Sequence, residues 1–232
     1  TLLRDPIRGC PWDVAQSFES IASCTLEEAY EVLDAIEKGD MVGLKEELGD
    51  LLLQVAFHAQ IAAEQGKFDF EDVAETIINK LIVRHPHVFG DAEIKTASEQ
   101  ESAWEKQKEV ERKNKAGSEA HSLLDGIASA LPAAIRASKL QKRAAKGGFD
   151  WPDLTGVFAK IEEELLEVRQ AVDMQNGIKE EIGDLLFSVV NLARKLDIDP
   201  EDALRGCNAK FERRFRYVEN KIAKAGGMIA DA

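Results

Sequence analysis

Residues 45–52 read KEELGDLL, and residues 179–186 read KEEIGDLL. An acidic block precedes each of them, LEEAYEV at residues 26–32 and EEELLEV at residues 162–168. A lysine and an arginine four positions apart follow each of them further along the chain. Three blocks that occur twice in one order indicate an internal duplication, so the sequence predicts two copies of one structural unit.

The duplicated unit is predicted to be helical. Prolines occur at only six positions and leave long runs of the chain without one. Apolar residues recur at helical spacing, and alternating strand patterns are nearly absent. We therefore predict an all-α fold, with a first repeat at 1–111, a polar connecting segment at 112–135 and a second repeat at 136–232.

The composition disfavours several classes of protein. The net charge is −13, from 43 acidic and 30 basic residues, and such a surface repels both the phosphodiester backbone and anionic membranes. We therefore expect neither nucleic acid nor a membrane as the main partner. The three cysteines form no C-x-x-C pair, and no charged-then-apolar signal segment opens the sequence, so we expect a reducing, cytoplasmic location.

The carboxylates of each copy are predicted to converge between two helices. On a helical projection Glu28 and Glu164 lie at the edge of the apolar stripe of the first helix. The second helix is apolar nearly all round, which predicts burial. It carries one narrow polar stripe, with Glu47 and Asp50 in the first copy and Glu181 and Asp184 in the second. Buried carboxylates that face one another need a counter-charge, and their oxygens suit a hard divalent cation such as Mg²⁺ or Mn²⁺.

Three other interpretations of these carboxylates stay open at this point. They could be solvated surface charges, or they could belong to structural salt bridges. They could also hold a di-iron centre, but ferritin-like iron sites use E-x-x-H, and both copies here have E-x-x-D. The duplication and the apolar surroundings favour the divalent-cation site.

Two basic pairs, Lys80 with Arg84 and Lys210 with Arg214, are each one helical turn apart and could grip a phosphate chain. A solvated basic face is the alternative for either pair alone, and the repeated order of acidic block and basic pair favours phosphate binding. Trp104 follows the first copy, and either base stacking or a place in the core fits it.

Together these motifs resemble the MazG family of nucleoside triphosphate pyrophosphohydrolases, within the all-α NTP pyrophosphatase superfamily. The family signature, E-E-x-x-E followed by E-x-x-D, occurs twice. The stretches GCPWD at 9–13, RHPHVF at 84–89 and KFERRF at 210–215 are also similar to those of two-repeat members. The resemblance covers nearly the whole chain and implies two tandem MazG-like helical-bundle repeats.

The resemblance also implies an activity and a site. The family hydrolyses NTPs and dNTPs to monophosphate and pyrophosphate with Mg²⁺, and we expect a broad-specificity, house-cleaning enzyme of the nucleotide pool. By resemblance the magnesium ligands are Glu164, Glu167, Glu181 and Asp184 in the second repeat and Glu28, Glu31, Glu47 and Asp50 in the first. The implied substrate-binding residues are Lys179, Lys210, Arg214, Lys80, Arg84 and Trp104. Two-repeat members are typically homodimers in which the second repeat is active.

Hydrolysis needs an activated water, and the candidate catalytic residues are Glu163, Glu164 and Glu181. Two-repeat members also have a C-terminal tryptophan segment that contacts the nucleotide, and no tryptophan follows Trp151 here. We therefore expect either a trimmed C-terminus or altered base binding in the second repeat. The competing hypothesis is a non-catalytic helical module that binds nucleotide and serves dimerisation or regulation.

Overall fold

The computed structural model describes residues 2–116 and 122–227, and all regular secondary structure in these residues is helical. Within them a short 3-10 helix, Leu2–Arg4, precedes ten α-helices. These are α1 Pro11–Ala15, α2 Phe18–Lys38, α3 Met41–Glu64, α4 Phe70–Arg84, α5 Pro86–Phe89, α6 Ala97–Ala116, α7 Ala133–Lys146, α8 Leu154–Met174, α9 Ile178–Lys195 and α10 Pro200–Lys224. The prediction of an all-α fold is confirmed.

Local sequence explains where the helices that carry the acidic blocks begin and end. Ser17 and Ser20 exchange side-chain-to-backbone hydrogen bonds at 2.9 and 3.3 Å, and this reciprocal cap starts α2. Gly39 ends α2 in the left-handed conformation, with φ 67°, which glycine adopts without steric cost. Asp153 starts α8 by accepting a 2.8 Å hydrogen bond from the backbone N–H of Thr155.

The chain divides into two compact units, Thr1–Glu111 and Arg112–Ala232. In the first unit α2 and α3 form an antiparallel pair, and α4 packs against α3. In the second unit α8 and α9 form the corresponding pair, α7 packs against α9, and α10 contacts both α7 and α9. Part of the predicted connecting segment, residues 117–121, lies outside the described residues.

The prediction that the second helix of each repeat is buried is wrong for much of each helix, although Ala59, Ile61 and Ala62 of α3 and Val190 of α9 are buried. Leu48 and Leu52 on α3 are 50% and 58% exposed, and Leu186 on α9 is 61% exposed. The reason is that each helix has only a few neighbours within its own unit, so an apolar surface all round it is covered on one side alone. No helix among the described residues is both long enough and apolar enough to span a membrane.

Candidate active site

The first acidic cluster lies between α2 and α3. Carboxylate oxygens of Glu28, Glu47 and Asp50 all lie within 4.8 Å of one another. Partial burial and then the charges of Asp50 and Glu31 raise the pKa of Glu28. Partial burial and then the charge of Glu31 raise the pKa of Glu47. These shifts show that the cluster concentrates negative charge without full compensation.

The second acidic cluster has the same construction between α8 and α9. Carboxylate oxygens of Glu164, Glu181 and Asp184 lie within 4.8 Å of one another. Glu164 is only 4% exposed, and its Oε2 has no hydrogen-bond partner among the described residues. A buried carboxylate oxygen without a donor is costly, so this oxygen is available for a cation.

Glu31 and Glu167 lie beside these clusters rather than within the 4.8 Å groups. Glu31 contributes to the raised pKa values of the first cluster. Partial burial and then the charge of Glu164 raise the pKa of Glu167 itself. Both residues are therefore close enough to act on the clusters electrostatically.

The three-carboxylate groups fit a hard divalent cation. All six side chains are oxygen donors, and neither group contains an imidazole or a thiolate. In the second group Oε2 of Glu164 has no hydrogen-bond partner among the described residues, so it can serve as a ligand to a cation. Both copies have E-x-x-D where ferritin-like iron sites have E-x-x-H, so the histidine that a di-iron centre needs is missing from both motifs.

Lys160 is the residue of this site that the sequence analysis missed. Its Nζ lies 2.8 Å from a carboxylate oxygen of Glu163 and 2.8 Å from Oε1 of Glu164. The hydrogen bonds that the ammonium donates to these two glutamates raise the pKa of Lys160, so it is charged at neutral pH. The spacing of i, i+3 and i, i+4 on α8 was the signal that could have found it.

The two basic pairs differ in their surroundings. Arg84, at the end of α4, forms a 2.7 Å ion pair with Glu111 of α6. Lys210 and Arg214 are exposed on α10 and form no ion pair within the described residues. Lys80 on α4 and Lys179 in the first turn of α9 are exposed as well. The structure places none of these basic residues inside an acidic cluster.

Trp104 lies at the junction between α4 and α6. Its Nε1 donates a 2.9 Å hydrogen bond to the backbone carbonyl of Arg84, and its ring meets that of His85 edge-on with centroids 5.4 Å apart. Gln100 donates to the same carbonyl at 2.9 Å. Of the two roles left open for Trp104, these contacts favour the structural one, because they attach α6 to the last turn of α4.

A cavity of about 590 Å³ opens beside the second acidic cluster. Its lining includes Glu164, Asp184 and Lys160 from the cluster, and also the aromatic residues Phe149, Trp151 and Phe187. The sequence analysis gave Trp151 no role, because the residues that line this cavity come from separate elements and meet there only through tertiary packing.

A polar network forms another part of the cavity wall. Asp150 pairs with Arg194 at 2.5 Å and with Lys195 at 3.0 Å. Burial alone would raise the pKa of Asp150, but hydrogen bonds from Arg194 and Lys195 hold it below the ordinary value. Arg194 also donates two hydrogen bonds to Oδ1 of Asn191, at 2.9 and 2.8 Å. The charges in this wall are therefore paired with one another.

Comparisons with known proteins agree with this architecture. The family described as "MazG nucleotide pyrophosphohydrolase domain" matches residues 16–89 and 154–218, which contain the two acidic clusters. The nucleoside triphosphate pyrophosphohydrolase of Escherichia coli (strain K12) is 53% identical over 97% of this chain and 86% of that protein. The nucleoside triphosphate pyrophosphohydrolase/pyrophosphatase MazG of Thermotoga maritima is 47% identical over 99% of this chain and 86% of that protein.

A more distant relative, the nucleoside triphosphate pyrophosphohydrolase of Mycobacterium tuberculosis, is 34% identical over 95% of this chain and 58% of that protein. The two matched stretches confirm the prediction of tandem repeats, and the relatives confirm the prediction of an enzyme. The resemblance inferred from the motifs is confirmed as well. The chain therefore belongs to the MazG nucleotide pyrophosphohydrolase family.

Proposed function

We propose that this chain hydrolyses nucleoside triphosphates and deoxynucleoside triphosphates to the monophosphate and pyrophosphate, with Mg²⁺ as the cofactor and Mn²⁺ as a substitute. The observation that carries the proposal is the second acidic cluster, where buried Glu164 meets Glu181 and Asp184 and keeps one oxygen unpartnered. We assign the active site to this second repeat because the cavity able to hold a substrate opens there.

Glu164, Glu181 and Asp184 would hold the cation, with Glu167 beside them. A divalent cation bound there would neutralise the triphosphate and stabilise the leaving pyrophosphate. The corresponding residues Glu28, Glu31, Glu47 and Asp50 would form a second cation site in the first repeat.

Of the three candidate catalytic residues, Glu163 is the best placed to orient the attacking water. Glu164 and Glu181 belong to the three-carboxylate group, and Oε1 of Glu164 is also paired with Lys160. Glu163 lies outside that group and bonds Lys160 through one oxygen, Oε1. Its second oxygen can accept a proton from a water in line with the α–β bond.

The basic residues of the second repeat would bind the phosphates. Lys160 reaches the cluster directly, and Lys210 and Arg214 carry charges that no described residue neutralises. Lys179, one turn before Gly183 on α9, would add a further contact. Guanidinium and ammonium groups of this kind offset the charge that develops on the leaving pyrophosphate. In the first repeat Lys80 and Arg84 would bind phosphate more weakly, since Arg84 already forms an ion pair with Glu111.

We also propose a cytoplasmic homodimer that serves nucleotide-pool cleaning with broad base specificity. Exposed leucines on α3 and α9 support the dimer, because association would cover apolar surface that the single chain leaves in water. The charge of −13 supports a small nucleotide, rather than nucleic acid or a membrane, as the partner.

The test is incubation with a mixture of NTPs and dNTPs in the presence and absence of Mg²⁺, with separate assays for pyrophosphate and orthophosphate. We expect pyrophosphate only, and only with the cation. Glu181→Gln should abolish this release, whereas Glu180→Gln, its exposed neighbour outside the cluster, should retain it. Orthophosphate release would contradict the assigned bond. Nucleotide binding without any turnover in the wild type would instead support the non-catalytic dimerisation or regulatory module.

A further inference from the structure

We propose that the aromatic cavity of the second repeat is the nucleobase site, with Trp151 as the surface on which the base stacks. The proposal rests on the proposed function, because it takes the triphosphate to lie at the second acidic cluster. It assigns base binding to α7, α8 and α9 and to the loop before α8, all of which belong to one unit.

The cavity is lined by two chemically different sets of residues. Lys160, Glu164 and Asp184 supply charged groups, and Phe149, Trp151 and Phe187 supply apolar rings. A nucleotide has the same division, with charged phosphates at one end and a flat, neutral base at the other. The volume of about 590 Å³ lies within the range of pockets that enclose small ligands, about 300–1,000 Å³.

Trp151 is held in place as a stacking surface. A Cβ atom on Gly156 would lie 2.5 Å from Cε3 of the indole, so the ring lies directly against a helix position that only glycine leaves open. The backbone N–H of Trp151 donates to Asp150 at 2.9 Å, and its carbonyl accepts a hydrogen bond from Lys195. Trp151 as a residue is still 45% exposed, and it lines the cavity, which leaves surface available to a ligand.

Asn191 adds a hydrogen-bond donor of fixed orientation. The guanidinium of Arg194 can only donate, so the amide oxygen of Asn191 must face it, as the 2.9 and 2.8 Å distances show. The amide nitrogen of Asn191 makes no hydrogen bond to a described residue, and Asn191 lines the cavity. It can therefore donate to a carbonyl oxygen or ring nitrogen, which every nucleobase carries. A stacking surface with one such donor predicts weak discrimination between bases.

The paired charges in the cavity wall also favour a neutral base over a charged group. Asp150 and Arg194 neutralise each other, and their side chains are only 25% and 9% exposed. A third phosphate or a carboxylate would gain little in this part of the cavity, whereas a neutral aromatic ring would gain stacking and the donor.

Tryptophan fluorescence provides a direct test, because the chain has only three tryptophans. The double variant Trp12→Phe/Trp104→Phe leaves Trp151 as the sole emitter, and its rate of pyrophosphate release is measured first as the reference. The protein is then titrated, with Mg²⁺ present, with an NTP analogue that has a methylene bridge between the α and β phosphates. Inorganic tripolyphosphate is the matched ligand without a base.

We expect saturable quenching by the analogue and none by tripolyphosphate. Quenching of equal size by tripolyphosphate would overturn the proposal, because the signal would then not report the base. Absence of quenching by the analogue in a variant that still releases pyrophosphate would overturn it too, with the proposed function left intact. Quenching in a protein that releases no pyrophosphate would support the base site and contradict the proposed function.

Kinetics in the otherwise wild-type chain provides the second measurement. Gly156→Ala should displace the indole, and Trp151→Ala should remove it, and each should raise KM for NTPs by about tenfold with a smaller change in kcat. Trp12→Ala, which removes an exposed tryptophan from the first repeat, is the control and should change KM by less than about twofold. An unchanged KM in both cavity variants would show that the base binds elsewhere.

Discussion

The two acidic clusters share a motif but differ in the residue one helical turn before Glu164 and Glu28. Lys160 precedes Glu164 by four positions and pairs with it at 2.8 Å, whereas Cys24 precedes Glu28 by four positions. In the first repeat partial burial and then the crowding of charge raise the pKa of Glu28 and of Glu47. The duplication has therefore preserved the arrangement of carboxylates while changing the way in which their charge is compensated.

The two repeats also differ in whether the arginine of the basic pair is already engaged in an ion pair. Arg84 of the first repeat is engaged by Glu111, while Arg214 of the second repeat makes no ion pair within the described chain. The first repeat thus combines an acidic cluster that has no lysine paired with its Glu28 and an occupied arginine. The second combines a cluster in which Lys160 pairs with Glu164 and an arginine that is available to a phosphate group.

The largest expected effect concerns which repeat performs hydrolysis. Glu181→Gln removes a charged oxygen from the second cluster, and we expect kcat for pyrophosphate release to fall by about 10²-fold or more. Glu47→Gln makes the same change in the first cluster and should have a much smaller effect. Circular dichroism and thermal unfolding of both variants control for misfolding. Equal losses of kcat would show that the repeats depend on each other or that both are active.

The next effect concerns the available arginine. Arg214→Ala should raise KM for NTPs by about tenfold, the size expected when a charged hydrogen bond to phosphate is lost. Arg84→Ala should have a smaller effect, because Glu111 already engages that guanidinium. Steady-state kinetics over a range of NTP concentrations measures both. A larger effect at Arg84 would reverse the comparison and assign phosphate binding to the first repeat.

The sequence predicted the elements and the clusters because both depend on local periodicity. Spacing on a helix placed Glu47 with Asp50, and Glu181 with Asp184, and the edge of the apolar stripe placed Glu28 and Glu164 opposite them. The structure brings these six carboxylates into two groups of three. It places Glu31 and Glu167 beside the groups, so in each repeat the sequence signature includes one glutamate that lies outside the group of three carboxylates.

The cavity and the burial of α3 and α9 could not be predicted in this way. Trp151 and Asn191 are 40 positions apart in sequence and meet only because α7, α8 and α9 pack together. An apolar helix surface predicts that another surface packs against it, but the pattern does not identify whether that surface belongs to the same chain. Leu52 and Leu186 therefore remain exposed although their sequence context predicts burial.

A smaller effect concerns Lys160 and metal affinity. Its ammonium competes with a cation for Glu164, so Lys160→Met should strengthen Mn²⁺ binding by the nucleotide-free protein, by about three- to tenfold. Cys24→Lys should weaken Mn²⁺ binding at the first cluster by introducing the same competitor. Electron paramagnetic resonance of free Mn²⁺ measures both without any need for turnover, and Glu181→Gln and Glu47→Gln identify which cluster responds. Weaker binding in Lys160→Met would contradict this role.

The smallest effect is a dependence of stability on pH in the metal-free protein. The raised pKa of Glu28, above its ordinary value of 4.5, means that the folded chain binds this proton more tightly than the unfolded chain does. Such a group stabilises the fold below its unfolded pKa, and this contribution is lost as the pH rises through the folded pKa. At pH 7, without metal, Glu28→Gln should therefore raise Tm by a small amount, on the order of 1 °C, and this gain should shrink towards pH 4.

Glu46→Gln, a change at an exposed neighbour outside the cluster, is the control. Mg²⁺ should raise the Tm of the wild type more than that of Glu28→Gln, because only the wild type keeps the full set of charged oxygens. A lower Tm for Glu28→Gln at pH 7 without metal would show that the first cluster is compensated after all, and the contrast between the repeats would then rest on Lys160 alone.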